Sequence, residues 1–530
     1  MNMPSDCISY KESGYFTNLI LDYLDQKDEL RELYIRFPSL ENFEGQINEK
    51  QQNFSGDRDL LADVIEAQYK GLNMSELTSD NIQLLRQTST FTVTTGHQLN
   101  LFTGPMYFLY KIVSAVNLAK KLKVAYPAQN FVPVYWMATE DHDFDEINYF
   151  NFKGKKFRWN RESSGAVGRL STDGLDSFYK VFSGVMGDGK HADELRKLFS
   201  DAYLNHDNLA DATRYLANEL FGEIGLVIID ADNRDLKRQF APHIKEELTN
   251  QLSHIKVEQT SPLLKSYSLQ VNPREINLFY LDEEIRERII FENDMYRINN
   301  TTLQFSRDEL LKLLETNPEK FSPNVIMRPL YQEVILPNLC YIGGGGEIAY
   351  WLQLKNYFNA SNITFPMLLL RNSALIATQK QAEKLSKLDL DWQHLFSKPN
   401  ALAMTLVAKL SDKPLHFDDL KETLRLQFEK LEQIASHTDK SFIGAVKAQE
   451  RKQIKGLENL EQRLRRAEKR KHAEEIQRAA DLQDELFPHH SLQERFANFS
   501  EYYLEYGSAL IPRLTSELDP LNFSFRILTF

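Results

Sequence analysis

Cysteine is nearly absent from this 530-residue chain, which holds only Cys7 and Cys340. Two thiols exclude a disulfide framework and a cysteine-based zinc site. Long apolar runs are missing too. FPMLLL is among the longest, far short of the roughly 20 residues a membrane span needs. The opening residues, MNMPSDCISYKES, lack the basic and apolar regions of a secretory signal. A cytoplasmic protein without membrane association is therefore expected. Basic charge is in deficit, with 63 Lys and Arg against 75 Asp and Glu and a formal charge of −12. That balance disfavours non-specific nucleic-acid binding. No Walker A sequence, H-E-x-x-H zinc motif or G-x-S-x-G nucleophile elbow occurs.

What is present suffices for a large core. Hydrophobic residues make up 42% of the chain, with 33 Phe and 23 Tyr, and the length implies two to four structural units. Four short β-rich runs read as buried strands of a mostly parallel sheet: FTVTT at 91–95, NFVPVYWMAT at 130–139, GLVIIDA at 225–231 and FPMLLLR at 365–371. Between the first two, residues 105–126 show helical spacing and end in lysines that suit the helix dipole. Strand, helix, strand predicts an α/β, Rossmann-like doubly wound core. Residues 1–150 supply N-terminal helices and the first part of that core, and residues 216–239 and 326–410 supply the rest. Residues 151–215 and 240–325 fit the core pattern poorly and read as two insertions. Residues 411–486 carry apolar positions such as Leu420, Leu424, Leu431 and Ile434 amid dense charge, the composition of an α-helical coiled coil broken near Gly444. Residues 487–530 read as helix returning to the core.

Three motifs could carry chemistry, the first two at predicted strand ends and the third ahead of a predicted helix. The first is TGHQLNLFTGP, where Gly96, His97 and Gln98 would project into the crevice beside the strand. Its Thr103 and Gly104 would open a helix whose free N–H groups attract phosphate or carboxylate. Lys111 lies two turns further on and is expected to point back. The second is TEDHDFDE, in which Glu140, Asp141, His142 and Asp143 crowd together after a buried strand. Such crowding calls for a cation, an amine or shifted pKa values. A Mg²⁺ site, ammonium recognition and general-base catalysis all remain open. The third is Gly343 to Glu347, where Gly344 and Gly346 suggest backbone wrapped around a ligand and Glu347 follows. Arg328 and Arg371 are candidate anion binders. Lys384-Leu385-Ser386-Lys387 is similar to the KMSKS loop of class I adenylate-forming enzymes, but its polar helical setting reads as surface lysines. His489-His490 reads as a surface turn.

Taken together, TGHQLNLFTGPMYFLYK, ATEDHDFDEIN, NVIMRPLYQEVILPNLCYIGGGGEIAYW and PHHSLQER resemble the cysteine ligase family of bacillithiol synthesis, BshC. The resemblance implies a Rossmann core with two connecting-peptide insertions and a coiled-coil domain supporting a homodimer. It implies a ligase that joins cysteine through its carboxyl group to the amine of glucosaminyl-malate. The fold's likeness to class I adenylating enzymes makes ATP, with Mg²⁺, the expected cofactor. His97, Asp141, His142 and Asp143 are the candidate catalytic residues. The candidate binding set is Gly96, Gln98, Thr103, Gly104, Lys111, Glu140, Arg328, Gly344, Gly346, Glu347 and Arg371. Two rival readings are a class I-like nucleotidyltransferase or adenylate-forming ligase with another amine acceptor, and a non-catalytic coiled-coil scaffold.

Overall fold

The structure, a computed structural model, describes residues 6–438 and 440–530. Its centre is a five-stranded sheet of β1 (Thr90–His97), β2 (Asn130–Met137), β3 (Val227–Asp230), β4 (Asn338–Gly343) and β5 (Met367–Leu370). The spatial order is β5-β4-β1-β2-β3, and every pairing is parallel. That is the doubly wound order 3-2-1-4-5, in which the strand order reverses and leaves β1 and β4 side by side at the switch point. All eight residues of β1 are buried. The helix Tyr107–Ala125 that joins β1 to β2 buries most of its length, and only its lysine-bearing last turns emerge.

The four expected strands are present, and β4 is an additional one in the middle of the sheet. Its apolar run NLCYIG follows directly on the helix Arg328–Ile335, and no change in period separates the two in sequence. Residues 151–215 contain the end of a hairpin and the helices Leu175–Val185 and Lys190–Leu204, with Leu209–Phe221 running on past them. Residues 240–325 carry a five-stranded antiparallel sheet drawn from 278–281, 286–292, 295–298, 304–305 and 321–323.

Two expectations need correction. The chain does not finish as helix. Its last element, the strand Ser524–Thr529, lies between Asp6–Ser9 and Ser373–Ala377 in a three-stranded sheet that ties both ends of the chain together. Alternation in SFRILT is real but only six residues long, too short to stand out beside the helical pattern before it. The coiled coil is also built differently. Its helices are Asp418–Ser436 and Lys440–Lys471, and Gly444 sits inside the second helix. An exposed helical glycine costs only about 1 kcal/mol. Of the expected apolar face, Leu424 packs on Phe428, Ala435 and Val446, whereas Leu420, Leu431 and Ile434 are exposed. Among the described residues, no helix is long and apolar enough to cross a membrane.

Candidate active site

A cavity of about 670 Å³ opens where β1, β2 and β4 end, at the switch point where doubly wound sheets bind ligands. Gly96 and His97 from β1, Trp136 and Met137 from β2 and Tyr341 from β4 form one side. The antiparallel sheet of the second insertion closes the other with Phe279, Arg286 and Arg288. A separate pocket of about 420 Å³ surrounds the Lys50–Glu333 ion pair. It sits before β4 and β5 begin, away from the strand ends.

Nine residues singled out in the sequence meet in the switch-point cavity: Gly96, His97, Gln98, Lys111, Glu140, Asp141, His142, Arg328 and Glu347. Gly96 is glycine for space, since a Cβ there would stand 3.1 Å from the Tyr341 hydroxyl. Lys111 is buried, donates to the Gly96 carbonyl and pairs with Glu347 at 2.7 Å. Tyr341 donates to the other Glu347 oxygen at 2.6 Å, and the Gly344 N–H bonds to the carboxylate at 2.9 Å. Burial opposes ionisation of Glu347, yet Lys111 and these donors hold it below the usual carboxylate range. The glycine-rich turn is thus clamped by its own glutamate.

The acidic loop divides its carboxylates among separate tasks. Glu140 turns inward and meets Lys237 at 2.6 Å, while Lys237 also holds Asp232 at 2.8 Å. Arg169 grips the same Asp232 through two bonds of 2.8 and 3.1 Å. Burial raises the Glu140 pKa despite Lys237, whereas Lys237 and Arg169 outweigh burial at Asp232 and lower it. Asp141 remains at the cavity wall, accepting from the Gln98 carboxamide at 2.9 Å and the His142 N–H at 2.8 Å. Gln98 bonds Glu146 as well, also at 2.9 Å. The His142 ring lies 5.4 Å from Phe279, and its Nδ1 faces Arg286 at 2.5 Å. Burial and then the Arg286 cation lower its pKa. An arginine can only donate, so His142 is neutral with its proton on Nε2.

His97 is buried between Tyr107 and Phe108, with ring centroids 5.5 and 4.9 Å away. Burial, followed by the Lys111 and Arg371 cations, drives its pKa well below the usual histidine value. On its far side, His97 Nε2, Asn100 Oδ1, Thr103 Oγ1 and Thr213 Oγ1 have no protein partner. They face a space of about 10 Å³, the size at which one water fits. A neutral, enclosed imidazole orders the wall and is a poor proton acceptor. Below about pH 6.5 the unfolded chain protonates this histidine while the folded one resists. Stability should therefore fall with acidification by up to about 1.4 kcal/mol per pH unit, until the lower folded pKa is reached. His97→Gln should flatten that slope between about pH 6.5 and 5 in urea titrations; identical slopes would refute this role.

Six sequence-selected residues do not line the cavity, each for a physical reason. The Thr103–Gly104 turn is held by Asn498, whose amide donates to Phe102 O and Gly104 O at 2.7 Å each, and by the Met106 N–H to Ala497 O. The helix itself begins only at Tyr107. Gly344 and Gly346 sit outside because Glu347 caps their helix and uses the Gly344 N–H that an anion would take. Arg371 is committed to a buried pair with Glu494 at 2.7 Å. Asp143 is exposed at the start of the short helix Phe144–Ile147.

Sequence reasoning passed over the arginines of the second insertion. Arg274, Arg286 and Arg288 line the cavity with Arg328. None of the four forms a salt bridge with a carboxylate among the described residues. Arg286 lies 4.1 Å over the Phe279 ring. Arg328 donates to Gln332 and Tyr350 and lies over Trp136 and Tyr341. Arg286 and Arg288 are two apart on one strand, which puts both on one face. That spacing in IRERII was the available signal.

Residues 3–372 match the family model of the bacillithiol biosynthesis BshC N-terminal Rossmann-like domain, and residues 374–530 match that of the BshC C-terminal coiled-coil domain. A Flavobacterium johnsoniae protein named "Putative cysteine ligase BshC" is 61% identical over 528 residues, spanning 99% of this chain and 100% of its own. Proteins of the same name from Cytophaga hutchinsonii and Bacillus cereus are 37% and 26% identical. They span 98% and 94% of this chain, and 98% and 95% of their own lengths.

Proposed function

The chain belongs to the BshC family of bacillithiol biosynthesis, and from that premise we propose that it is a ligase joining the cysteine carboxyl group to the amine of glucosaminyl-malate. One observation carries the reading. Across a single cavity, four arginines without carboxylate partners face the Asp141–His142 loop. Guanidinium groups match the planar carboxylates of a malate moiety, and the opposite wall offers Asp141 to an amine. The arrangement orients a substrate that is anionic at one end and basic at the other.

Amide formation makes a C–N bond, expels a carboxyl oxygen with its leaving group and releases an amine proton. Asp141 is the group placed to take that proton, with Gln98 and the His142 N–H fixing its direction. His142 presents its Nε2–H as a donor to substrate oxygen. A free carboxylate is too poor an electrophile for this step. ATP with Mg²⁺, when bound, would supply the activation, and the cavity's arginines, which lack carboxylate partners, match its phosphates as they match malate. Purified protein given cysteine, glucosaminyl-malate, ATP and Mg²⁺ should yield a product with the mass of bacillithiol. No amide product, or one formed only with another amine, would overturn the assignment.

A further inference from the structure

A second cavity of about 350 Å³ adjoins the first, and Gln98 and Tyr107 line both. Its remaining wall includes Glu146, Phe150, Arg495 and Phe496. Glu146 bonds only to Gln98 through its side chain, and neither Glu146 nor Arg495 is in an ion pair among the described residues. The two opposite charges therefore line one pocket without meeting each other.

Both residues stand on anchored surroundings. Arg495 stands on a turn whose neighbour Glu494 accepts from Arg371, Ser373 Oγ and the Ala374 N–H at 2.7, 3.2 and 3.1 Å. Gln493 on the same turn bridges both backbone groups of Ile376 at 2.9 Å. Arg495 lines this cavity together with Tyr107 of the shared wall. Glu146 is tied to that wall through Gln98. An anion tied to Gln98 and a cation on an anchored turn, separated and unpaired, form the recognition set of a zwitterion.

We propose that this second cavity is the amino-acid subsite, where Glu146 receives the α-ammonium and Arg495 the α-carboxylate of cysteine. The assignment rests on the ligase reading above and adds where one of the two substrates is held. Phe150 and Phe496 give the thiol a soft, apolar wall with which sulfur makes favourable edge contacts. The carboxylate then lies at the Tyr107 side, adjacent to the cavity that receives the amine. The larger cavity is left to the larger substrate.

The test is equilibrium binding of labelled L-cysteine to the full-length protein, with and without ATP and Mg²⁺, against two competitors. Cysteamine lacks the carboxylate and 3-mercaptopropionate lacks the ammonium. Each should compete roughly 10- to 100-fold more weakly than unlabelled cysteine. Arg495→Met should weaken cysteine binding by a similar factor yet leave cysteamine within about twofold, since its lost partner is absent from that ligand. Glu146→Gln should do the reverse, sparing 3-mercaptopropionate. Both variants should bind glucosaminyl-malate as the parent does. Cysteine binding that survives both substitutions would overturn the subsite and leave the ligase reading standing. No cysteine binding by the parent protein under either condition would overturn both.

Discussion

Asp141→Asn is expected to lower the rate of amide formation by about 10²- to 10⁴-fold, the usual contribution of a positioned proton acceptor. The substitution keeps the side chain's shape and one acceptor oxygen, enough for the His142 N–H, while the Gln98 carboxamide keeps its bond to Glu146. Fold and substrate binding should therefore be retained. What is lost is the ability to take the amine proton. Asp143→Asn is the matched control, because Asp143 is exposed and outside the cavity. Its activity should stay within about twofold and its stability within about 0.5 kcal/mol, as for ordinary surface changes. Steady-state kinetics on the pair, with melting curves for both, decides the matter. Equal losses would mean that the loop's charge acts collectively and that no single carboxylate is the acceptor.

Lys237→Met should be the most destabilising single change near the site, by about 3–5 kcal/mol. Lys237 is 1% exposed and neutralises Glu140 and Asp232, at 12% and 7% exposure. Methionine fills the volume but leaves two buried carboxylates balanced by Arg169, which bonds Asp232 alone, and by Arg286 without an ion pair to either. Removing one partner of a buried charge set costs more than the set contributes as a whole. The Glu140 end of the loop would be released with it, so activity should fall alongside stability. A urea titration followed by circular dichroism measures the first effect. A loss under 1 kcal/mol would show that water already compensates these charges.

Much of the site was legible because it hangs on strand ends. A buried apolar run followed at once by polar residues marks both the end of a strand and the mouth of a crevice. That logic placed His97, Gln98, Asp141 and His142 correctly in space. It failed where a polar residue serves the fold. Thr103 and Gly104 look like an anion-binding turn until Asn498, almost 400 residues away, claims the Phe102 and Gly104 carbonyls on either side of Thr103. Arg371 looks free until Glu494 arrives from the C-terminal segment. Such long-range partners have no local signal. The converse holds for Arg274, Arg286 and Arg288, which read as surface charge in a polar insertion and acquire meaning only when that sheet folds over the strand ends. The strand β4 was hidden for a simpler reason. A short apolar strand beside a helix carries no period of its own. Chemistry at the ends of the core strands could be read locally; chemistry delivered by the insertions could not.

The central claim is that the arginine-lined cavity at the switch point holds glucosaminyl-malate. Calorimetric titration of that compound into the full-length protein tests it most directly, with the parent compared against Arg286→Met. Saturable one-to-one binding, weakened roughly 10- to 100-fold by the substitution, is the predicted result. Unchanged affinity in Arg286→Met would contradict the account.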